Sequence, residues 1–91
     1  MKMSWIRRIE INAKHIKSEE DFHDEIEGFA DIDSYGRNLD ALYDVLSESN
    51  DLIVIENADY LKKNLGERGE MILRVISDAA ENNDMLTVVF K

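Results

Sequence analysis

The sequence predicts an α/β fold, a three-stranded parallel sheet flanked by helices in the order β-α-α-β-α-α-β. Three short runs have strand character: RIEIN at 8–12, LIVIE at 52–56 and MLTVVF at 85–90. The segments between them have helical periodicity and are long enough to act as crossovers, which join parallel rather than antiparallel neighbours. Crossovers of this kind are right-handed.

Each element has its own local reason. In RIEIN, Ile9 and Ile11 alternate with polar residues, the period of a strand. Ser18 then serves as an N-cap. Glu19, Glu20 and Asp21 fill the first turn, where the helix dipole favours negative charge. Phe22, Ile26 and Phe29 recur at i, i+4 and i+7, giving an amphipathic helix over 19–29. A loop follows at 31–37, and Asn38 caps a second helix over about 39–49, with Leu39, Leu42 and Leu46 on one face. Ser49, Asn50 and Asp51 make a turn. LIVIE is almost continuously apolar, as in a strand covered on both faces. A short helix over 58–64 and a longer one over 67–82 come next, the latter lining up Ile72, Val75, Ile76, Ala79 and Ala80. The last strand is rich in β-favouring residues.

At 91 residues the chain suffices for one domain with one modest core, spanning 1–91. Hydrophobic residues make up 44%, which argues against disorder. Proline is absent, and the four glycines are read as turn punctuation. With no cysteine, the chain has no disulfide framework and no thiolate, as suits a reducing cytosol. The basic start MKMSWIRRIEINAK leads into no apolar stretch of the kind a signal peptide needs, and no apolar run is long enough to span a membrane. Eleven basic residues against twenty acidic ones give a net charge of -9. Such a surface repels nucleic acid and anionic lipid and favours a cationic partner.

Catalytic motifs are sparse. His15 and His23 have no cluster of further ligands around them and read as surface or partly buried histidines. No serine lies in a nucleophile elbow, and no Gly-rich phosphate loop follows a strand. Asp40 and Asp44 stand four apart on the polar face of the second helix, where like charges repel. Three readings of this pair stay open: acid–base chemistry, a share in a divalent-cation site, or a solvated acidic face.

The stretch YGRNLDALYD at 35–44 gives the pair a context. It resembles the Tyr-Gly-x-Asn-Leu-Asp-Ala-Leu-aromatic-Asp pattern of the barstar family, small intracellular inhibitors of the bacterial ribonuclease barnase. Tyr43 fills the aromatic slot. The similarity continues through Ile11-Asn12, Ile16, Asp21-Phe22-His23, the strand 52–56, then Leu73, Val75, Asp78 and Ala79, and the strand 86–90.

The resemblance implies a three-stranded parallel sheet flanked by helices and a non-enzymatic, cytoplasmic bacterial inhibitor, an antitoxin or immunity protein. No cofactor or metal is implied. The implied partner is a basic, extracellular-type ribonuclease, bound one-to-one by a chain that is monomeric when free. It further implies that Asp44 enters the phosphate site of the enzyme, with Asp40 one turn earlier. Asp78 matches a glutamate on the last helix, one methylene longer. Gly36 would let the loop approach closely, Asn38 organises loop and cap, and Tyr35 and Tyr43 contact the partner or cover core edges. Two positions depart from the family: Ser34 replaces a large tyrosine, and Arg37 replaces a glutamate, placing positive charge beside a loop meant for a cationic site. These departures motivate a rival reading, a barstar-fold adaptor or regulator with a non-nuclease partner.

Overall fold

The computed structural model describes residues 7–29 and 35–91. Eight elements follow one another: strand β1 (Arg8–Asn12), a 3₁₀ turn (Ala13–His15), helices α1 (Glu19–Phe29) and α2 (Leu39–Ser47), strand β2 (Leu52–Glu56), helices α3 (Asp59–Leu65) and α4 (Glu67–Asn82), and strand β3 (Thr87–Phe90). The strands pair in parallel in the order β1-β2-β3. The fold is therefore the α/β architecture that the sequence predicts.

The register decides which residues share a face. Ile9 pairs with Ile53 and Ile53 with Val88, while Ile11 pairs with Ile55. All five join one apolar core with Phe22 and Ile26 of α1, Leu42 and Leu46 of α2, Leu61 of α3, and Ile72, Ile76 and Ala79 of α4. Strands laid down in sequential order with crossovers of one hand bring each crossover to the same face, so every helix packs into this one core. The apolar run of β2 predicts cover on both faces, and Val54 is indeed 2% exposed. It lies outside the helix-lined core, however, in the row between Glu10 and Val89.

Element ends follow local chemistry. The Ser18 hydroxyl accepts from the Asp21 amide at 3.1 Å, as expected of an N-cap. α2 stops at Ser47, two residues before the expected end, and β3 starts at Thr87, two after the expected start. One residue accounts for both: the Asn83 side-chain amide donates to Leu46 O and Ser49 O, closing the end of α2, and its Oδ1 accepts from the Met85 amide. Of the glycines, Gly66 does break the chain, with φ at 64° between α3 and α4. Gly28 and Gly69 instead lie inside helices. Among the described residues no helix is long and apolar enough to cross a membrane.

Candidate functional site

The site is built on α2 and the loop that enters it. Asn38 holds the junction: its Oδ1 accepts from the Ala41 amide at 2.7 Å and its Nδ2 donates to Gly36 O at 3.3 Å. It is the cap and loop organiser that the sequence expects. The helix then buries Leu42 and Leu46 and packs against α4. Residues two positions removed from this apolar stripe point outward, so Asp40 and Asp44 are exposed. Neither carboxylate makes a hydrogen bond or ion pair among the described residues. They stand one turn apart at the surface, with their acceptor capacity directed to solvent.

Tyr43 lies half-buried between α2 and α4. Its hydroxyl accepts from Asn82 Nδ2 at 3.4 Å, and the same amide donates to Asp78 O at 2.9 Å. That contact joins the turn bearing Asp78 to α2, and Asp78 itself is exposed. Gly36 is exposed too, yet its tight quarters are internal: a Cβ there would lie 3.1 Å from Ala41 Cβ and 3.3 Å from Asn38 Nδ2. Ser34 lies outside the described residues.

The two residues flanking Gly36 turn away from solvent onto α1. Tyr35 is 7% exposed, and its hydroxyl lies 2.7 Å from Nδ1 of the buried His23. His23 Nε2 faces Glu19 Oε2 at 3.3 Å, and Glu19 receives both Nε and Nη2 of Arg68, at 2.9 and 3.0 Å. With Glu19 ionised, every group is satisfied when Nε2–H donates to the carboxylate and the Tyr35 hydroxyl donates to Nδ1. The Arg68 guanidinium holds the Glu19 carboxyl below its ordinary range, and burial pushes the Tyr35 phenol up. Tyr35 thus closes the core rather than presenting its ring.

Arg37 takes the outer side. Its backbone has φ at 55°, a conformation L-residues seldom adopt. Its guanidinium reaches Glu20 at 2.5 Å, Asp24 at 2.8 Å and Glu27 at 2.5 Å. These carboxylates hold the guanidinium ionised, raising its pKa. The positive charge beside the loop is therefore matched within the chain.

Sequence reasoning missed both anchors, although the signals were present. Glu20, Asp24 and Glu27 fall at i, i+4 and i+7, one acidic stripe along α1 facing the loop. His23 falls between Phe22 and Ile26 on the apolar stripe, a position that forces burial and demands a partner. Asp51, in the turn before β2, is also buried, and pairs with Arg7 at 3.3 Å and the Ser49 hydroxyl at 2.7 Å.

A separate cleft of about 410 Å³ opens between the end of β1 and α1, lined by Glu10, Asn12, His15, Ile16, Asp21, Asp24 and Glu25. None of the residues singled out on the loop, α2 or α4 lines it. Among the described residues no group of three or more His, Cys, Asp or Glu is placed to hold a metal ion.

Comparison with known proteins gives the family. The family described as Barstar (barnase inhibitor) matches residues 6–91. A protein of Bacillus subtilis (strain 168), named "Putative ribonuclease inhibitor YrdF", is 36% identical over 80 residues, covering 84% of this chain and 88% of that protein. With a match over nearly its whole length, and the strand order and helix arrangement described above, the chain belongs to the Barstar (barnase inhibitor) family.

Proposed function

We propose that the protein is a non-catalytic, one-to-one inhibitor of a basic barnase-type ribonuclease, and that Asp44 and Asp40 occupy the positions where the enzyme holds phosphate. The observation that carries this reading is the contrast between acids on two helices. The stripe on α1 is occupied by Arg37, while Asp40 and Asp44 on α2 are exposed and unpaired among the described residues. A site that binds phosphate offers arginine, lysine and histidine donors, and charge-assisted bonds to rigid carboxylates are the strong ones. Each is worth roughly 1.5–3 kcal/mol, against a few tenths for the repulsion of two carboxylates at i, i+4. The net charge of -9 steers the cationic enzyme inward. Family membership and the relative's name support the same reading.

On this reading the chain acts in the cytoplasm as a free monomer, an antitoxin or immunity protein that touches neither nucleic acid nor membrane. Gly36, Asn38 and Tyr43 border the contact. Asp78 adds a carboxylate from α4, Tyr35 and Arg37 act through the loop they hold, and Ser34 precedes them in the sequence. The adaptor reading loses one of its two grounds, because Arg37 is neutralised by α1.

The test is cleavage of a fluorogenic RNA by a barnase-type ribonuclease titrated with this chain. A sharp one-to-one end point is expected. Undiminished cleavage at excess inhibitor contradicts the proposal.

A further inference from the structure

We propose that Arg37 is a positioning residue: its bridge to Glu20, Asp24 and Glu27 fixes the loop at 35–38 on α1 and so sets the angle at which α2 meets its partner. The inference rests on the inhibitor reading for its effect on binding, but not for its effect on the free chain.

Three observations converge on it. The first is backbone: Arg37 holds a left-handed conformation, which a non-glycine residue keeps only where its surroundings enforce it. The second is reach. One planar guanidinium spans three carboxylates on successive turns of α1, with Nη1 on Glu27 and Nη2 on Glu20 and Asp24. A lysine ammonium is a compact point charge and lacks that fork. The third is symmetry about Gly36. Tyr35 is anchored inside α1 through His23 and Arg37 outside it through the acidic stripe, so the chain is held on both sides of the residue between them. The next residue, Asn38, carries this position directly into the first turn of α2.

Charge and position pull in opposite directions here, and that makes the inference decidable. Arg37→Gln makes the chain one unit more negative, so steering alone predicts tighter binding to a basic enzyme. Loss of position predicts weaker binding.

The experiment measures backbone NMR order parameters of the free chain together with ribonuclease inhibition, for the wild type, Arg37→Gln, Arg37→Lys and the triple variant Glu20→Gln/Asp24→Asn/Glu27→Gln. In the wild type the order parameters at 36–38 should sit near the rigid value of about 0.85, falling towards about 0.6 in Arg37→Gln. The triple variant should fall likewise although its charge changes in the opposite sense. Arg37→Lys should lie between, and values at 53–55 should stay unchanged. The inhibition constant of Arg37→Gln should rise about tenfold, which corresponds to ~1.4 kcal/mol. Unchanged order parameters at 36–38 in Arg37→Gln and the triple variant overturn the inference, as does tighter inhibition by Arg37→Gln. If the wild type inhibits no ribonuclease, the functional reading fails and the order parameters alone decide the anchor.

Discussion

The Tyr35 hydroxyl lies 2.7 Å from Nδ1 of His23, and both side chains are buried, at 7% and 1% exposure. This bond ties the loop before α2 to the interior of α1. Removing one partner strands the other in a place water does not reach. Tyr35→Phe should therefore destabilise the chain by about 1–3 kcal/mol, read as a lower urea midpoint with an unchanged slope. A variant as stable as the wild type would mean that Nδ1 of His23 finds another donor.

The same chain of contacts gives two pH limits. Glu19 is held below its ordinary value of 4.5 by Arg68. A depressed carboxyl stabilises the fold at pH values above the unfolded pKa, and that contribution disappears as pH falls through the folded one. The stability gap between wild type and Arg68→Met should thus be full at pH 7 and close on acidification below about 4.5. For Tyr35 the sign reverses. Its phenol is raised above the ordinary 10.0, so the stability it carries is full below that pH and declines as the pH climbs past it. Urea midpoints across both ranges, with Tyr35→Phe as the alkaline reference, check the two limits.

Two glycines inside helices should respond oppositely to alanine. A Cβ at Gly69 would lie 2.0 Å from the backbone oxygen of Leu61, so α4 and α3 must separate. Overpacking of this kind costs about 1–3 kcal/mol, more than the helix gain of roughly 1 kcal/mol. We place Gly69→Ala at the upper end, a net loss of about 2 kcal/mol, because the obstacle is backbone. Gly28 has nothing within 4 Å of a Cβ, and Gly28→Ala should stabilise by about 0.5–1 kcal/mol. Thermal midpoints of the two variants should move in opposite directions.

Asn38 closes the first turn of α2, and its replacement tests the cap apart from the interface. Asn38→Ala should cost about 1 kcal/mol of stability, while Asn38→Asp or Asn38→Ser should retain most of it. Denaturation of the three variants side by side gives the comparison.

Much of this was legible in the sequence. Period-two alternation placed β1 at its observed residues, and the apolar run placed β2. Helical spacing with a capping Ser18 and Asn38 placed the starts of α1 and α2. The far end of α2 was not legible, because it depends on Asn83 bonding to carbonyls more than thirty positions away; the late start of β3 follows from the same side chain, whose Oδ1 accepts from the Met85 amide. The one-sided helix layer was hidden for a similar reason: Val54 is as apolar as Ile53 and Ile55, and only the strand order assigns the faces. At the candidate site, the exposure of Asp40 and Asp44 followed from their spacing relative to Leu42 and Leu46. The inward turn of Tyr35 and the capture of Arg37 did not, since each needs the approach of α1 to the loop, a tertiary fact. The acidic stripe at Glu20, Asp24 and Glu27 was nonetheless a visible request for a cation.

On the proposed inhibitor reading, a free carboxylate on α2 does the inhibiting. The most direct measurement is the inhibition constant of Asp44→Ala, set beside Asp44→Asn and the exposed acid Glu81→Ala, against a basic barnase-type ribonuclease. Both Asp44 variants should weaken inhibition by about 10- to 100-fold, the loss of at least one charge-assisted bond, while Glu81→Ala, at an exposed position on α4, should change it little. Asp44 variants that inhibit as tightly as the wild type would contradict it.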